Sequence, residues 1–313
     1  MPRLLQFLVF LTFVITSLQE TAFPWSRGYC ATEAPAESLK AEFRRLRALV
    51  TDFVDDLVGD QGSRKAIEPI EIATWFHVVS SKASGDTVSD EMLTTQLSYL
   101  QEAYQNATIT YRLEGVTRQT NDKWARNEDE LAMKDALRKG SYRTLNVYFQ
   151  TDLQAPTATG ATGRQLGPSE QLTTSVLGFC TLPDPGINST SPRSSYVKDG
   201  CNVLAKTLPG GSLTHYNRGG TAIHEIGHWN GLLHTFEGES CSPDNEGDYI
   251  DDTPQESVPT DGCPTIKDSC PDQPGVDPVH NFMDYSADEC YERFTPAQVK
   301  RMRDMWYAMR EGK

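Results

Sequence analysis

Apolar positions fall into several distinct patterns along the 313-residue chain. The first is a nearly unbroken run, LLQFLVFLTFVI, behind Pro2 and Arg3 and ahead of polar TSLQET. A membrane-spanning helix needs about 20 apolar residues, so the run is short for a span and has the plan of a secretory signal, assigned to residues 1–19; an N-terminal anchor is the alternative. Next, Leu39, Phe43, Leu46, Leu49, Val50 and Phe53 recur at helical spacing in a segment dense with charge. GDQGSRKAIEP, with its glycines and the Arg64-Lys65 pair, then reads as a boundary and a processing point. The expected organisation is a signal, a prosegment over 20–66 and a main domain over 67–313.

Within that domain IEIATWFHVVSS has the β-branched and aromatic content of a strand covered on both faces, expected at the centre of a sheet. SDEMLTTQLSYLQEAYQ opens with Ser89 as a helix cap and repeats Met92, Leu93, Leu97, Leu100 and Tyr104 on one face. TITYRLEGVTR then reads as strand, EDELAMKDALRKG as helix and TLNVYFQ as strand. That alternation predicts an α/β layer with at least part of its sheet parallel. Residues 151–215 are rich in Gly, Pro, Ser and Thr, with one short strand predicted near TSVLGFCTLP, and the last helix is TPAQVKRMRDMWYAMR with Thr295 as cap and Pro296 at its first position.

Charge and cysteines narrow the setting. A net charge of −14 gives no electrostatic basis for binding nucleic acid or anionic membranes. Of the seven cysteines, Cys180 and Cys201 lie in one stretch and Cys241, Cys263, Cys270 and Cys290 in another, with Cys30 apart. In an oxidising compartment six would pair and one would remain. Two sequons, at Asn106 and Asn188, suit a secreted glycoprotein. A secreted, extracellular monomer is the expectation.

The candidate chemistry lies in IHEIGHWNGLLHT, which holds three of the six histidines. His224 and His228, four apart on a helix, project from one face and can reach a single zinc. Glu225 lies beside the first of them, placed to take a proton from a water without being a ligand. On a continuous helix His234 would face away from the pair; Gly231 supplies the left-handed turn that can bring it back as a third ligand, leaving the fourth zinc position open. His77, His215 and His280 read as structural. Two other readings were weighed: a secreted non-proteolytic binding module with a structural zinc, disfavoured by the presence of a base at Glu225, and hydrolysis of a non-peptide bond, which has no supporting motif.

HExxHxxGxxH is the extended signature of the metzincin metallopeptidases, whose second signature is a methionine turn. HEIGHWNGLLHTF, DTPQE and NFMDYSADEC together resemble the pappalysin (cytophagalysin) family, especially its secreted fungal-type members. The resemblance implies a two-lobed α/β (α+β) metzincin domain with a mixed twisted sheet, an upper lobe to about residue 231 and a lower lobe over 232–313. It implies zinc on His224, His228 and His234, Glu225 as general base, Met283 as the floor of the site and Tyr285 as a stabiliser of the tetrahedral intermediate. The activity implied is zinc endopeptidase action on proteins or peptides. It further implies that Cys30 can fill the open zinc position in a latent zymogen, against the plainer reading of a free or intermolecular thiol. Calcium is implied near residues 237–277, with Asp244, Asp251 and Asp252 as candidate ligands, against a solvated acidic loop. The pairings implied are Cys241 with Cys270 and Cys263 with Cys290, leaving Cys180 with Cys201, although spacing alone does not choose among them. An extended substrate is expected along VLGFCTLP by strand addition.

Overall fold

A computed structural model describes residues 29–48, 67–156 and 176–313. The signal run, the Arg64-Lys65 junction and the apolar positions Leu49, Val50 and Phe53 lie outside these residues. The described elements are α1 (Glu37–Ala48), β1 (Ile70–Ser80), α2 (Asp90–Tyr104), β2 (Ile109–Thr120), α3 (Asp122–Ala125), α4 (Glu130–Leu137), β3 (Leu145–Gln150), β4 (Gly178–Cys180), β5 (Cys201–Leu204), α5 (Gly220–Trp229) and α6 (Pro296–Met305), the last continued by a π turn, Trp306–Arg310.

The five strands form one mixed sheet in the order β2-β1-β3-β5-β4. β1 pairs in parallel with β2 and β3, and β3 with β5, whereas β4 runs antiparallel to β5 at the edge. The parallel pairs require crossovers: α2 lies between β1 and β2, α3 and α4 lie between β2 and β3, and the connection from β3 to β5 passes through β4. β1 lies inside the sheet but one place off centre, which β3 occupies. β3 is buried along its whole length, whereas β1 is buried on both faces only over residues 76–80, and apolar composition alone does not rank two such neighbours. His77 shows how β1 tolerates a polar residue: its ring is buried between Thr117 Oγ1 (2.7 Å) and Asn146 Oδ1 (3.0 Å), and burial pulls its pKa down to about 4.

Local chemistry fixes the helix starts. Ser89 accepts the Met92 amide at the head of α2, and Thr295 and Gln298 form a reciprocal capping box at α6. The main core joins Phe76, Val78, Val147 and Phe149 of the sheet to Leu93 and Leu100 of α2 and to Ile223, Ile226 and Trp229 of α5. Trp229 also donates to Asp199 (3.2 Å), a buried carboxylate that pairs with both Arg138 (3.2 Å) and Arg310 (3.0 Å). A second, smaller cluster docks α1 through Leu39, Phe43 and Leu46 onto Leu233, Tyr249, Met305 and Met309.

Candidate metal centre

α5 is entirely buried, so its two histidines are held by packing as well as by hydrogen bonds. His224 Nδ1 faces the Phe282 carbonyl (2.7 Å) and His228 Nδ1 the Leu232 carbonyl (2.9 Å). A carbonyl can only accept, so each Nδ1 carries the proton and each Nε2 presents a lone pair. The helix ends at Asn230; Gly231, at φ +91°, gives its amide to His228 O (2.8 Å), and Leu232 gives its amide to Gly227 O (3.0 Å). The reversed chain brings His234 back, with its Nε2 3.1 Å from that of His228, which is in turn 3.2 Å from that of His224. Nitrogens at about 2.05 Å from one tetrahedral zinc stand about 3.3 Å apart. The Nε2 lone pairs of His224 and His228, facing each other at this distance with His234 Nε2 beside them, repel unless a cation lies among them, so the donor set fits zinc. Burial pulls all three imidazoles below their ordinary pKa, which keeps them neutral as ligands.

Cys30 closes the group. Its Sγ lies 3.5 Å from His228 Nε2 and 3.4 Å from Glu225 Oε2. Among the described residues Cys30, His224, His228 and His234 are the one set of three or more His, Cys, Asp or Glu side chains able to share a metal, with ligand atoms all within 4.8 Å. The cysteine arrives on an added strand: Tyr29 O accepts from Leu177 N (2.9 Å), Ala31 N donates to Gly178 O (3.0 Å), and Cys30 bridges Gly178 in parallel. Glu225 lies under the same strand, fully buried, and burial pushes its carboxyl up to about 8 against hydrogen bonds from Cys30 and Thr32.

Met283 is buried below the histidines and Tyr285 beside them, its ring centroid 5.0 Å from that of His234 and its hydroxyl donating to Cys30 O (3.4 Å). Two glycines missed in the sequence reading create these approaches. A Cβ on Gly227 would stand 2.4 Å from Met283 Sδ, and one on Gly178 would stand 2.6 Å from Glu225 Cγ. Both were visible as small residues inside motifs, but only the packing gives them a reason. Also missed was the half-buried lysine that braces the loop: Lys267 Nζ lies 2.7 Å from both Glu256 and Asp277, and Glu256 accepts from Thr235, next to His234.

The structure pairs Cys180 with Cys201, Cys241 with Cys270 and Cys263 with Cys290, leaving Cys30 free. Asn106 and Asn188 are exposed. The acidic candidates for calcium do not converge. Asp244 is exposed, Asp251 takes Arg47 of α1 (2.7 Å), and Asp252 accepts from Thr295 (2.6 Å) and Ala297 (2.9 Å) at the head of α6. Neighbours in a turn diverge, and their partners are helix dipoles and arginines rather than one another. His215 and His280 sit apart from the metal group, His215 beside Glu289 (2.7 Å) and His280 beside the Cys290 carbonyl (2.7 Å).

This chain is 66% identical to an extracellular metalloprotease of Aspergillus oryzae over 97% of both chains, and 63% identical to one of Aspergillus fumigatus over 92% of this chain and 90% of that one. A family profile, Peptidase_M43 (pregnancy-associated plasma protein-A), matches residues 174–306. The chain belongs to the pappalysin family of metallopeptidases. It is an extracellular zinc metalloprotease, and the reading as a non-proteolytic binding module is not favoured. Among solved structures, the pappalysin resembles mature mirolysin of Tannerella forsythia in complex with a cleaved peptide, at 25% identity and a TM-score of 0.57, covering 77% of this chain and 92% of that one. A promirolysin mutant superposes with a TM-score of 0.59 over 89% of this chain and 93% of that one; at 24% identity it speaks to the fold alone. No helix among the described residues is long and apolar enough to cross a membrane.

Proposed function

We propose that the chain is made as a latent zinc endopeptidase, with residues 20–66 as prosegment and 67–313 as catalytic domain, in which Cys30 occupies the fourth metal position. The position of Cys30 Sγ among the three histidine nitrogens and Glu225 carries this reading. His224, His228 and His234 hold the metal. Zinc held there would supply a Lewis acid for the scissile carbonyl and lower the pKa of water toward ~7. Glu225 accepts the proton of the attacking water and returns it to the leaving amine. Tyr285, whose hydroxyl already donates to a peptide carbonyl at Cys30, is the donor for the oxyanion. Met283 and Gly227 set the floor beneath the ligands.

The second half of the prosegment strengthens the block. α1 buries Leu39, Phe43 and Leu46 against the catalytic domain, and Arg44 and Arg47 pair with Glu246 and Asp251 on its acidic loop. Calcium on Asp244, Asp251 and Asp252 is not part of this reading, because those carboxylates lie apart.

Two variants test the proposal. Purified proform with Cys30→Ala should cleave substrate without processing, whereas full latency in that variant would remove Cys30 from the account. The mature protein and its Glu225→Ala variant, each incubated with a diverse peptide pool and read by mass spectrometry, should give cleavage products from the first only. Equal product patterns from the two would overturn the mechanism.

A further inference from the structure

A crevice of about 300 Å³ lies apart from the metal site, and none of His224, Glu225, His228, His234 or Cys30 lines it. Tyr99 of α2 lines it together with Phe282, Tyr291 and Phe294 from the segment beyond the metal helix. Phe282 is central to this group, its ring centroid standing 4.9 Å from that of Phe294, 5.5 Å from that of Tyr291 and 6.5 Å from that of Tyr99. The polar lining is exposed and of mixed charge, with Glu102 and Glu292 beside Arg293. Aromatic faces edged by such groups suit a neutral ligand that has both C–H faces and hydroxyls, which is the chemistry of a sugar ring. Asn106, which also lines the crevice, supplies the occupant. It is exposed on the single 3-10 turn that follows α2, and it heads the sequon Asn106-Ala107-Thr108.

We propose that Asn106 is N-glycosylated and that the first N-acetylglucosamine of its glycan sits in this crevice, bracing α2 against the loop that carries Phe282. The inference rests on the extracellular setting and not on the proposed catalytic cycle. Glycan transfer joins Asn106 Nδ2 to C1 of the sugar, breaks the bond from that carbon to the diphosphate of a lipid-linked donor, and releases the lipid diphosphate and one amide proton. Tethering keeps the sugar at an effective concentration on the order of millimolar, so that a contact too weak to hold free sugar stays occupied. The place of the contact matters for the metal centre. Phe282 O accepts from His224 Nδ1 (2.7 Å), and Tyr291 donates to Asp284 O (2.7 Å). A sugar seated on these two rings therefore restrains the backbone that orients the first metal ligand.

Asn188 is the internal control. Its sequon is also exposed, but its Oδ1 accepts from Thr190 N (2.9 Å) and Thr190 Oγ1 (2.7 Å) within its own turn, and it does not line the crevice.

The test uses the latent full-length protein secreted from a fungal host. Peptide mapping should find a glycan on Asn106. Trimming with endoglycosidase H, which leaves the first sugar, should keep the thermal midpoint within about 1 °C, whereas Asn106→Gln should lower it by about 2–4 °C and Asn188→Gln should not. Tyr99→Ala should abolish the difference between trimmed protein and Asn106→Gln. Should Asn106→Gln fail to be secreted, hydrogen exchange on the parent decides. Amides of residues 280–294 should be unchanged by trimming to one sugar and should exchange roughly tenfold faster once peptide N-glycosidase has removed it. An unmodified Asn106, equal midpoints for parent and Asn106→Gln, an equal loss in Asn188→Gln, or unchanged exchange on removing the last sugar would overturn the inference. None of these results bears on the protease reading, which Glu225→Ala tests separately.

Discussion

The two halves of the metal centre are held by different physics. His224, Glu225 and His228 ride on a buried helix packed against a five-stranded sheet, where regular hydrogen bonds and apolar burial do the positioning. His234, Met283 and Tyr285 come from residues 232–294, a stretch without a helix or a strand longer than a single bridge. Two disulfides, a half-buried lysine between two buried carboxylates and Asp284 accepting from Thr260 N (2.9 Å) hold it. Apolar burial is diffuse and tolerates single changes, whereas a polar brace fails when one partner is removed. The loop side should therefore be where the site is lost first.

The largest effect is expected at Lys267. Replacing it with methionine leaves Glu256 and Asp277 buried without their cation and should cost about 3–5 kcal/mol. Hydrogen exchange should show amides of 235–290 losing protection while β1 and β3 keep theirs, with zinc content falling in parallel; uniform loss across both halves would erase the distinction. Next comes the junction itself. Gly231→Ala adds a Cβ 2.6 Å from Met305 Cγ at a left-handed φ, and should cost about 2–4 kcal/mol by thermal unfolding. An unchanged Tm would mean that the turn gives way freely.

Asp248, buried in the loop side, gives a pH signature. Burial pushes its carboxyl from its ordinary 3.8 up to about 7. The folded state therefore binds more protons than the unfolded one between those values, and stability falls as pH rises from about 4 to about 7. Asp248→Asn, which keeps an acceptor for Thr253 and the Ile250 amide, should match the parent near pH 4 and exceed it by a growing margin as the pH rises toward 8. A constant difference across that range would reverse the assignment. The smallest effect is expected at the exposed sheet edge, where Arg112 pairs with Glu71. Arg112→Ala should leave both the thermal midpoint and peptide cleavage unaltered.

The same contrast explains what could be read from the sequence. Period, caps and the HExxH spacing are local, so α2, α5, α6 and β1 to β4 stood out, as did the need for a turn at Gly231, whereas the short β5 in a Gly-, Pro- and Ser-rich stretch did not. Lys267, Glu256, Asp277 and Asp284 are scattered through a loop, and nothing in their spacing says that they meet. Asp244, Asp251 and Asp252 misled for the opposite reason, since proximity in a turn resembles a cation site even when the side chains point to different partners. Tyr29 carried no signal beyond its place beside Cys30; its packing against His224 and Tyr285 appears only in the folded chain.

The most direct test is X-ray absorption at the zinc edge on the latent protein and on the form lacking the prosegment. The account predicts one zinc with three imidazole nitrogens in both, and one sulfur at about 2.3 Å in the latent protein only. A first shell of nitrogen and oxygen alone in the latent form, or a sulfur that persists after the prosegment is gone, would contradict it.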